Sequence, residues 1–193
     1  MSQAVHTDAP RQARPLLLRR FDTPLGAMVA CASEQGLCLL EFTDRPIVNT
    51  ELAALRRQLS AEIAEGDSPV LRQAEREIGE YFAGSRHHFE VALHLPGTAF
   101  QQAVWQLLLS VPYGLTRSYQ EQAARLGRPQ SVRAVAAANG ANRLSVIVPC
   151  HRVLGKDGAL TGYGGGLERK AWLLAHEREH VPQPETPAIH RAL

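Results

Sequence analysis

Residues 145–153 read Ser-Val-Ile-Val-Pro-Cys-His-Arg-Val. An apolar run ends at Pro149, and Cys150 follows where the chain must leave extended structure. The imidazole of His151 and the guanidinium of Arg152 come next. A free thiol titrates near ~8.5, so little of it is thiolate at neutral pH, and neighbours of this kind are what lower that value. Cys150 is therefore either a reactive thiol or a small buried hydrophobe, and the segment alone leaves both open. Cys31 and Cys38 have no such neighbours and are assigned to the core. An odd count of three cysteines, without the spacing of a disulfide framework, fits a reducing compartment.

Downstream, Thr161-Gly-Tyr-Gly-Gly-Gly166 is a loop whose glycines permit backbone amides to approach an anion or base. It lacks the Gly-Lys-Ser/Thr ending of a phosphate-binding P-loop. A helix over Leu167–Glu179 follows, with Leu167, Ala171, Leu174 and Ala175 expected on its buried face. Its end, His176-Glu-Arg-Glu-His180, matches the H-E-x-x-H zinc-protease pattern. The glycine of the extended motif is replaced by Gln183, and three prolines crowd the residues beyond. No metal is expected there, and a solvated helix end is the reading adopted.

Upstream, Thr98-x-x-Gln101 and Ser118-x-x-Glu121 are capping boxes that open two helices, stopped at Pro112 and Gly127. A further helix spans Gln130–Asn139, and the pair around Gly127 reads as a helix-turn-helix. Its second helix carries Arg133 among small residues, a face that either enters a groove or packs in the core. Before the Pro96-Gly97 boundary, Leu16–Phe21, Leu25–Cys31 and Leu37–Phe42 read as a β-meander. Helices over Glu51–Glu65 and from Ser68-Pro69 to Gly84 follow, then a strand over Val91–Leu95. The first half is thus a small α/β unit. The expected domains are 15–96 and 97–180, with disordered tails at 1–14 and 181–193.

The chain has 193 residues, 45% apolar and 21% charged, as a globular protein of one or two domains would. No apolar run approaches the ~18 residues that span a bilayer, and the N-terminus shows no signal-peptide core. A cytoplasmic location and no membrane partner are expected. The net charge of +2 hides an asymmetry: residues 1–98 carry 10 Arg against 13 acids, residues 99–193 carry 11 Arg/Lys against 6. Only Lys156 and Lys170 are lysines, so the positive charge is guanidinium, suited to phosphates and bases. A polyanion partner for the second half and chance surface charge both account for that much.

Taken together, these segments resemble the methylated-DNA–protein-cysteine methyltransferases, or O6-alkylguanine-DNA alkyltransferases. The resemblance rests on Pro149-Cys-His-Arg-Val153, Phe100-Gln-Gln-Ala-Val-Trp105, Pro112-Tyr-Gly114, Ser118-Tyr-Gln120, Arg133-Ala-Val135, Asn142, Gly162-Tyr163 and Trp172-Leu-Leu-Ala-His-Glu177. They run in the family's order and spacing across residues 98–177. Residues 16–95 match more loosely, through Asp22-Thr-Pro-Leu-Gly26 and Glu80-Tyr-Phe-Ala-Gly84.

The resemblance implies a two-domain α+β/α fold, a ribonuclease-H-like α/β domain followed by an α-helical domain with a helix-turn-helix. It implies DNA repair by one irreversible, single-turnover transfer of an alkyl group from O6 of guanine, or O4 of thymine, to Cys150, with no cofactor. Glu177 would orient His151, which would activate Cys150 through a water. Tyr119 would donate to the guanine as charge develops on it, and Asn142 would brace the site. Val148, Pro149, Val153, Tyr163, Gly164 and Gly165 would line the base pocket. The partner would be double-stranded DNA, entered from the minor groove with little sequence specificity by a monomer, cooperative loading being left open. Ser118, Tyr119, Arg133 and Ala134 would contact it, Arg133 filling the space of the flipped nucleotide.

In two respects the chain departs from relatives. Gly164 stands where some carry a serine, and the zinc-ligand pattern of some animal members is not reproduced. No structural zinc and no alkylation-induced transcriptional role are expected. The alternative is a non-catalytic alkyltransferase-like DNA-binding protein, in which another residue replaces the cysteine. From Ala99 to Leu173 there are 9 Arg/Lys and 3 acids, so the acidic first half is read as a support that keeps its surface off the DNA.

Overall fold

Leu16–Phe21 (β1), Met28–Ser33 (β2) and Gly36–Phe42 (β3) form the expected antiparallel meander. The computed structural model describes residues 14–181; the tails expected at 1–14 and 181–193 lie, apart from Arg14 and Val181, outside the described residues. β3 is buried at every position and β2 at all but its last, because the sheet is covered on both faces. One face packs Leu16, Leu18, Val29, Cys31 and Leu39 on Val48 and Leu55 of helix α1 (Val48–Leu59). The other packs Met28, Ala30, Leu40 and Phe42 on Leu71, Ala74, Ile78 and Tyr81 of α2 (Pro69–Phe82). This second layer continues without a break into Val104, Trp105, Leu108, Val148 and Leu173, so the two halves of the chain share one core.

Three elements of the first half differ from the sequence reading. The helix expected over Glu51–Glu65 starts at Val48 and ends at Leu59, where Ser60 adopts a left-handed conformation (φ 48°). Ile63–Glu65 instead forms β4, parallel to β1, because the free edge of β1 supplies partners: Leu16 N donates to Glu62 O (2.7 Å) and Gly66 N to Leu18 O (3.0 Å). β2 begins at Met28 rather than Leu25, since Thr23 and Gly26 exchange backbone hydrogen bonds in a turn. Val91–Leu95 is no full strand but meets β3 at a single Leu37–Leu93 bridge.

The second half comprises α3 (Ala99–Leu109), α4 (Tyr119–Arg125), α5 (Val132–Gly140) and α6 (Leu167–Glu179). Both capping boxes form, with Thr98 and Gln101 on α3 and Ser118 and Glu121 on α4. α5 starts at Val132, two residues later than expected. Buried Gln122 and Asn139 exchange side-chain hydrogen bonds (3.1 and 3.3 Å) that lock α4 to α5, and Trp105 Nε1 donates to Ala138 O (2.8 Å) to add α3. The half is not wholly helical: Arg117–Ser118 (β5) pairs in parallel with Val153–Leu154 (β6), tying the start of α4 to the residues after Cys150.

Of the expected inner face of α6 only Leu174 is buried. Leu167, Ala171 and Ala175 are exposed, and the buried residues are Lys170, Leu173, Leu174, His176 and Glu177. A helix that buries bonded polar groups carries its hydrophobic signal on the wrong side.

Gly36 lets residues 91–94 dock: its φ is +145°, and a Cβ there would lie 2.5 Å from Ala92 O. Gly36→Ala is expected to lower unfolding stability by about 2 kcal/mol. A denaturant midpoint shifted by less than about 0.5 kcal/mol would contradict this docking.

Candidate active site

The segment ahead of Cys150 is anchored to the sheet of the first half. Leu40 N donates to Arg143 O and Ser145 N donates to Leu40 O, both at 2.8 Å, so this stretch rides on β3. The chain then turns sharply. Val146 takes φ +72°, a strained value for a β-branched residue. Cys150 N donates to Val148 O (2.7 Å) and opens a 3-10 turn over Cys150–Arg152. Asn142 holds this turn from inside: its Nδ2 donates to Val148 O (2.9 Å) and to Cys150 Sγ (3.1 Å), while its Oδ1 accepts from Leu144 N (3.0 Å). The buried face of the turn brings Val148, Pro149 and Val153 into the core beside Cys150.

Behind the turn lies the buried carboxylate of Glu177, on α6. His151 Nε2 is 2.7 Å from Oε1, and Tyr81 donates its hydroxyl to the same oxygen (2.9 Å). Arg152 donates from Nε (2.9 Å to Oε2) and Nη2 (3.0 Å to Oε1), and Gly114 N donates to Oε2 (3.0 Å). Burial by itself would raise the carboxyl, but the bonds and charges of His151 and Arg152 outweigh it and hold Glu177 at about 2. Glu177 is thus an ionised acceptor, which requires the proton of His151 to sit on Nε2. Burial lowers the His151 imidazole against the pull of Glu177, so the ring is neutral and Nδ1 keeps its lone pair. Nδ1 has no hydrogen-bond partner among the described residues.

Burial pushes the Cys150 thiol up to about 11; the Asn142 bond and the charges of Lys170 and Arg45 pull it down, while Glu41 adds to the rise. The resting group is therefore a thiol, and its conversion to a nucleophile needs a base such as neutral His151. Tyr119, at the start of α4, donates its hydroxyl to Gly162 O (3.1 Å), and burial with the nearby Cys150 raises its own titration. Tyr163 is buried with its ring centroid 6.3 Å from that of His151, and Gly164 and Gly165 follow it in the loop. Lys170 Nζ fastens that loop by donating to Val153 O (2.5 Å) and Thr161 O (2.6 Å).

Cys150, His151, Glu177, Asn142, Tyr119 and Tyr163 are thus assembled around one centre, while Arg133 and Ala134 stand exposed on α5. Ser118 spends its hydroxyl on capping α4, accepting from Glu121 N (3.1 Å). The H-E-x-x-H residues are engaged elsewhere: His176 Nε2 lies 2.8 Å from Tyr81 O, and His180 Nδ1 lies 2.8 Å from His176 O. Cys31 and Cys38 lie in the core on the α1 side of the sheet, as expected. Arg152 does not adjoin the thiol as a charge but clamps Glu177. Sequence reading missed Tyr81, Lys170, Glu41 and Arg45. The one available signal was Glu41, a charge inside the apolar run Leu37–Phe42.

Glu177 ties acid stability to the site. Its folded value lies below the ordinary carboxylate value of ~4.3, so its contribution is complete above that pH and is lost as pH falls toward 2. The contribution is on the order of 3 kcal/mol. Glu177→Gln is expected to be less stable at neutral pH and to lose less further stability on acidification. Parallel slopes for the two proteins between pH ~4.5 and ~2 would refute the assignment.

Comparison with known proteins identifies the family. Residues 17–95 match the family model described as the 6-O-methylguanine DNA methyltransferase ribonuclease-like domain, and residues 99–179 match the DNA binding domain of the same family. A methylated-DNA–protein-cysteine methyltransferase of Mycolicibacterium paratuberculosis is 53% identical over 85% of this chain and 93% of its own length. A constitutive one from Bacillus subtilis is 42% identical over 81% of this chain and 92% of its own. The crystal structure of Mycobacterium tuberculosis OGT in complex with DNA superposes with a TM-score of 0.73 at 39% identity, covering 86% of this chain and 95% of that one. Buried Cys150, braced by Asn142 and backed by the His151–Glu177 pair, lies within a chain that belongs to the methylated-DNA–protein-cysteine methyltransferase family.

Proposed function

We propose that Cys150 is the alkyl acceptor in the direct repair of O6-alkylguanine, and of O4-alkylthymine, in duplex DNA. The observation that carries this is the neutral His151, fixed through Nε2 by ionised Glu177 and left with an unpartnered Nδ1, next in the chain to a thiol that burial keeps protonated. Through one water, Nδ1 takes the thiol proton. The sulfur then attacks the alkyl carbon, the carbon–O6 bond breaks, and its electron pair passes to the purine. Tyr119, a hydroxyl donor at the mouth of the site, supplies the hydrogen bond that meets this charge. The thioether formed on Cys150 has no route back to thiol, so each molecule acts once and no cofactor is needed. The cysteine separates this reading from a lesion-binding protein without chemistry.

The target atom lies within the duplex, so the nucleotide is flipped out at a cost of a few kcal/mol. α4 and α5 act as a helix-turn-helix in the minor groove, where the small exposed residues Ala134 and Ala137 permit close approach and Arg133 fills the vacated space. Val148, Pro149, Val153 and the Tyr163–Gly165 loop line the base pocket. Action as a monomer is part of this reading. The free thiol that the chemistry consumes supports a reducing, cytoplasmic setting.

Incubation with duplex DNA containing O6-methylguanine is expected to add one CH2 unit to the protein, mapped to Cys150 by peptide mass spectrometry. Methyl loss from the DNA with Cys150 unmodified would overturn the mechanism, and Cys150→Ser should bind DNA without transfer. Arg133→Ala is expected to keep most affinity for intact duplex but to slow single-turnover transfer by about tenfold or more. If it instead weakens all duplexes alike and lowers the salt slope by about one, Arg133 is a phosphate contact rather than a wedge.

A further inference from the structure

The first half of the chain reaches the transfer site through one buried cluster. Glu41 of β3 is fully buried, accepts from Ser145 Oγ (2.9 Å) and pairs with Arg45, whose side chain is only 11% exposed. Ser145 belongs to the segment that leads into Cys150, so the pair touches that segment directly. Arg45 also touches the pocket loop: the space that a Cβ on Gly164 would occupy is filled by its guanidinium, with Nη2 the nearest atom. The backbone at Gly164 is not in the left-handed region, so the guanidinium, rather than the conformation, is what a side chain there would meet. Glu41 Oε1 and Tyr163 Oη, both buried beside this cluster, are without hydrogen-bond partners among the described residues.

We propose that Arg45 is a positioning residue of the transfer site: paired with Glu41, its guanidinium fills the space beside Gly164 and holds the Tyr163–Gly166 loop in the form that lines Cys150. The chain thereby places an arginine from the first half where some relatives, by the resemblance noted above, carry a serine side chain. The inference rests on Cys150 being the acceptor and adds to it a residue from outside the DNA-binding half.

The pair also sets the charge felt by the thiol. The groups facing Cys150 are Asn142, Tyr119 of α4, Lys170 of α6, Tyr163 of the loop, and Glu41 with Arg45, with His151 next to it in the chain. Arg45 itself faces Glu41, Glu51 of α1 and Tyr163. Glu41 opposes thiolate formation and Arg45 favours it. Removing Arg45 alone takes away a cation that favours the thiolate, while burial already pushes the Glu41 carboxyl up, and the rising limb of the pH–rate profile moves to higher pH.

The test is single-turnover transfer from an O6-methylguanine duplex across neutral to alkaline pH, with affinity for undamaged duplex and thermal melting measured alongside. Arg45→Ala is expected to lower the plateau rate by about tenfold or more, as misplacement of a pocket wall does. Its rising limb should move to higher pH, and duplex affinity should not change. Arg45→Met combined with Glu41→Gln leaves no unpaired buried charge and serves if the single variant does not fold. There the limb should return to the wild-type position while the plateau stays low. A wild-type plateau in whichever of the two folds overturns the inference, as does a limb that Arg45→Ala leaves in place. Failure of the wild-type protein to alkylate Cys150 overturns instead the acceptor role on which the inference rests.

Discussion

The carboxylate of Glu177 is the interaction on which the second half of the structure depends. A buried anion is tolerable only when its charge and lone pairs are met, and here four donors come from three places: Tyr81 of α2, Gly114 after α3, and His151 and Arg152 of the turn after Cys150. Together they fix α2, the residues after α3 and that turn against α6. The arrangement that makes burial of the charge possible is therefore the one that sets the imidazole. Stability and chemistry are bound to the same atoms, which is why the neutral tautomer of His151 needs no further device.

The same logic joins the two halves across their boundary. The α2-side face of the sheet and the helices of the second half bury one continuous set of apolar side chains, and the segment leading to Cys150 hangs from the edge of β3. Tyr81, Glu41 and Arg45 bring polar atoms of the first half to the reacting centre. A half that its acidic charge marked as a support is thus a structural component of the site. Strain at Val146 fits this picture, since a residue held at positive φ persists only where its surroundings over-determine it.

Much of this was legible from local chemistry. Capping boxes at Thr98 and Ser118 and the Ser68-Pro69 start of α2 act within a few residues, and each formed as read. Segments whose state depends on a distant partner did not. Ile63–Glu65 pairs with the free edge of β1, and Val91–Leu95 makes one bridge because β3 offers only its end. The buried face of α6 was misread for a related reason: Lys170, His176 and Glu177 are inside only because carbonyls, an imidazole and a guanidinium from elsewhere satisfy them.

By itself the sequence determined the family, and through that resemblance it pointed to Cys150 and to the pairing of His151 with Glu177, because ordered motifs carry that information along the chain. Only the tertiary structure decided that Arg152 serves Glu177 rather than the thiol, that Cys150 rests protonated, and that Arg45 stands beside Gly164. Burial, hydrogen-bond geometry and the sum of nearby charges set these properties, and all three arise between residues that are far apart in the chain.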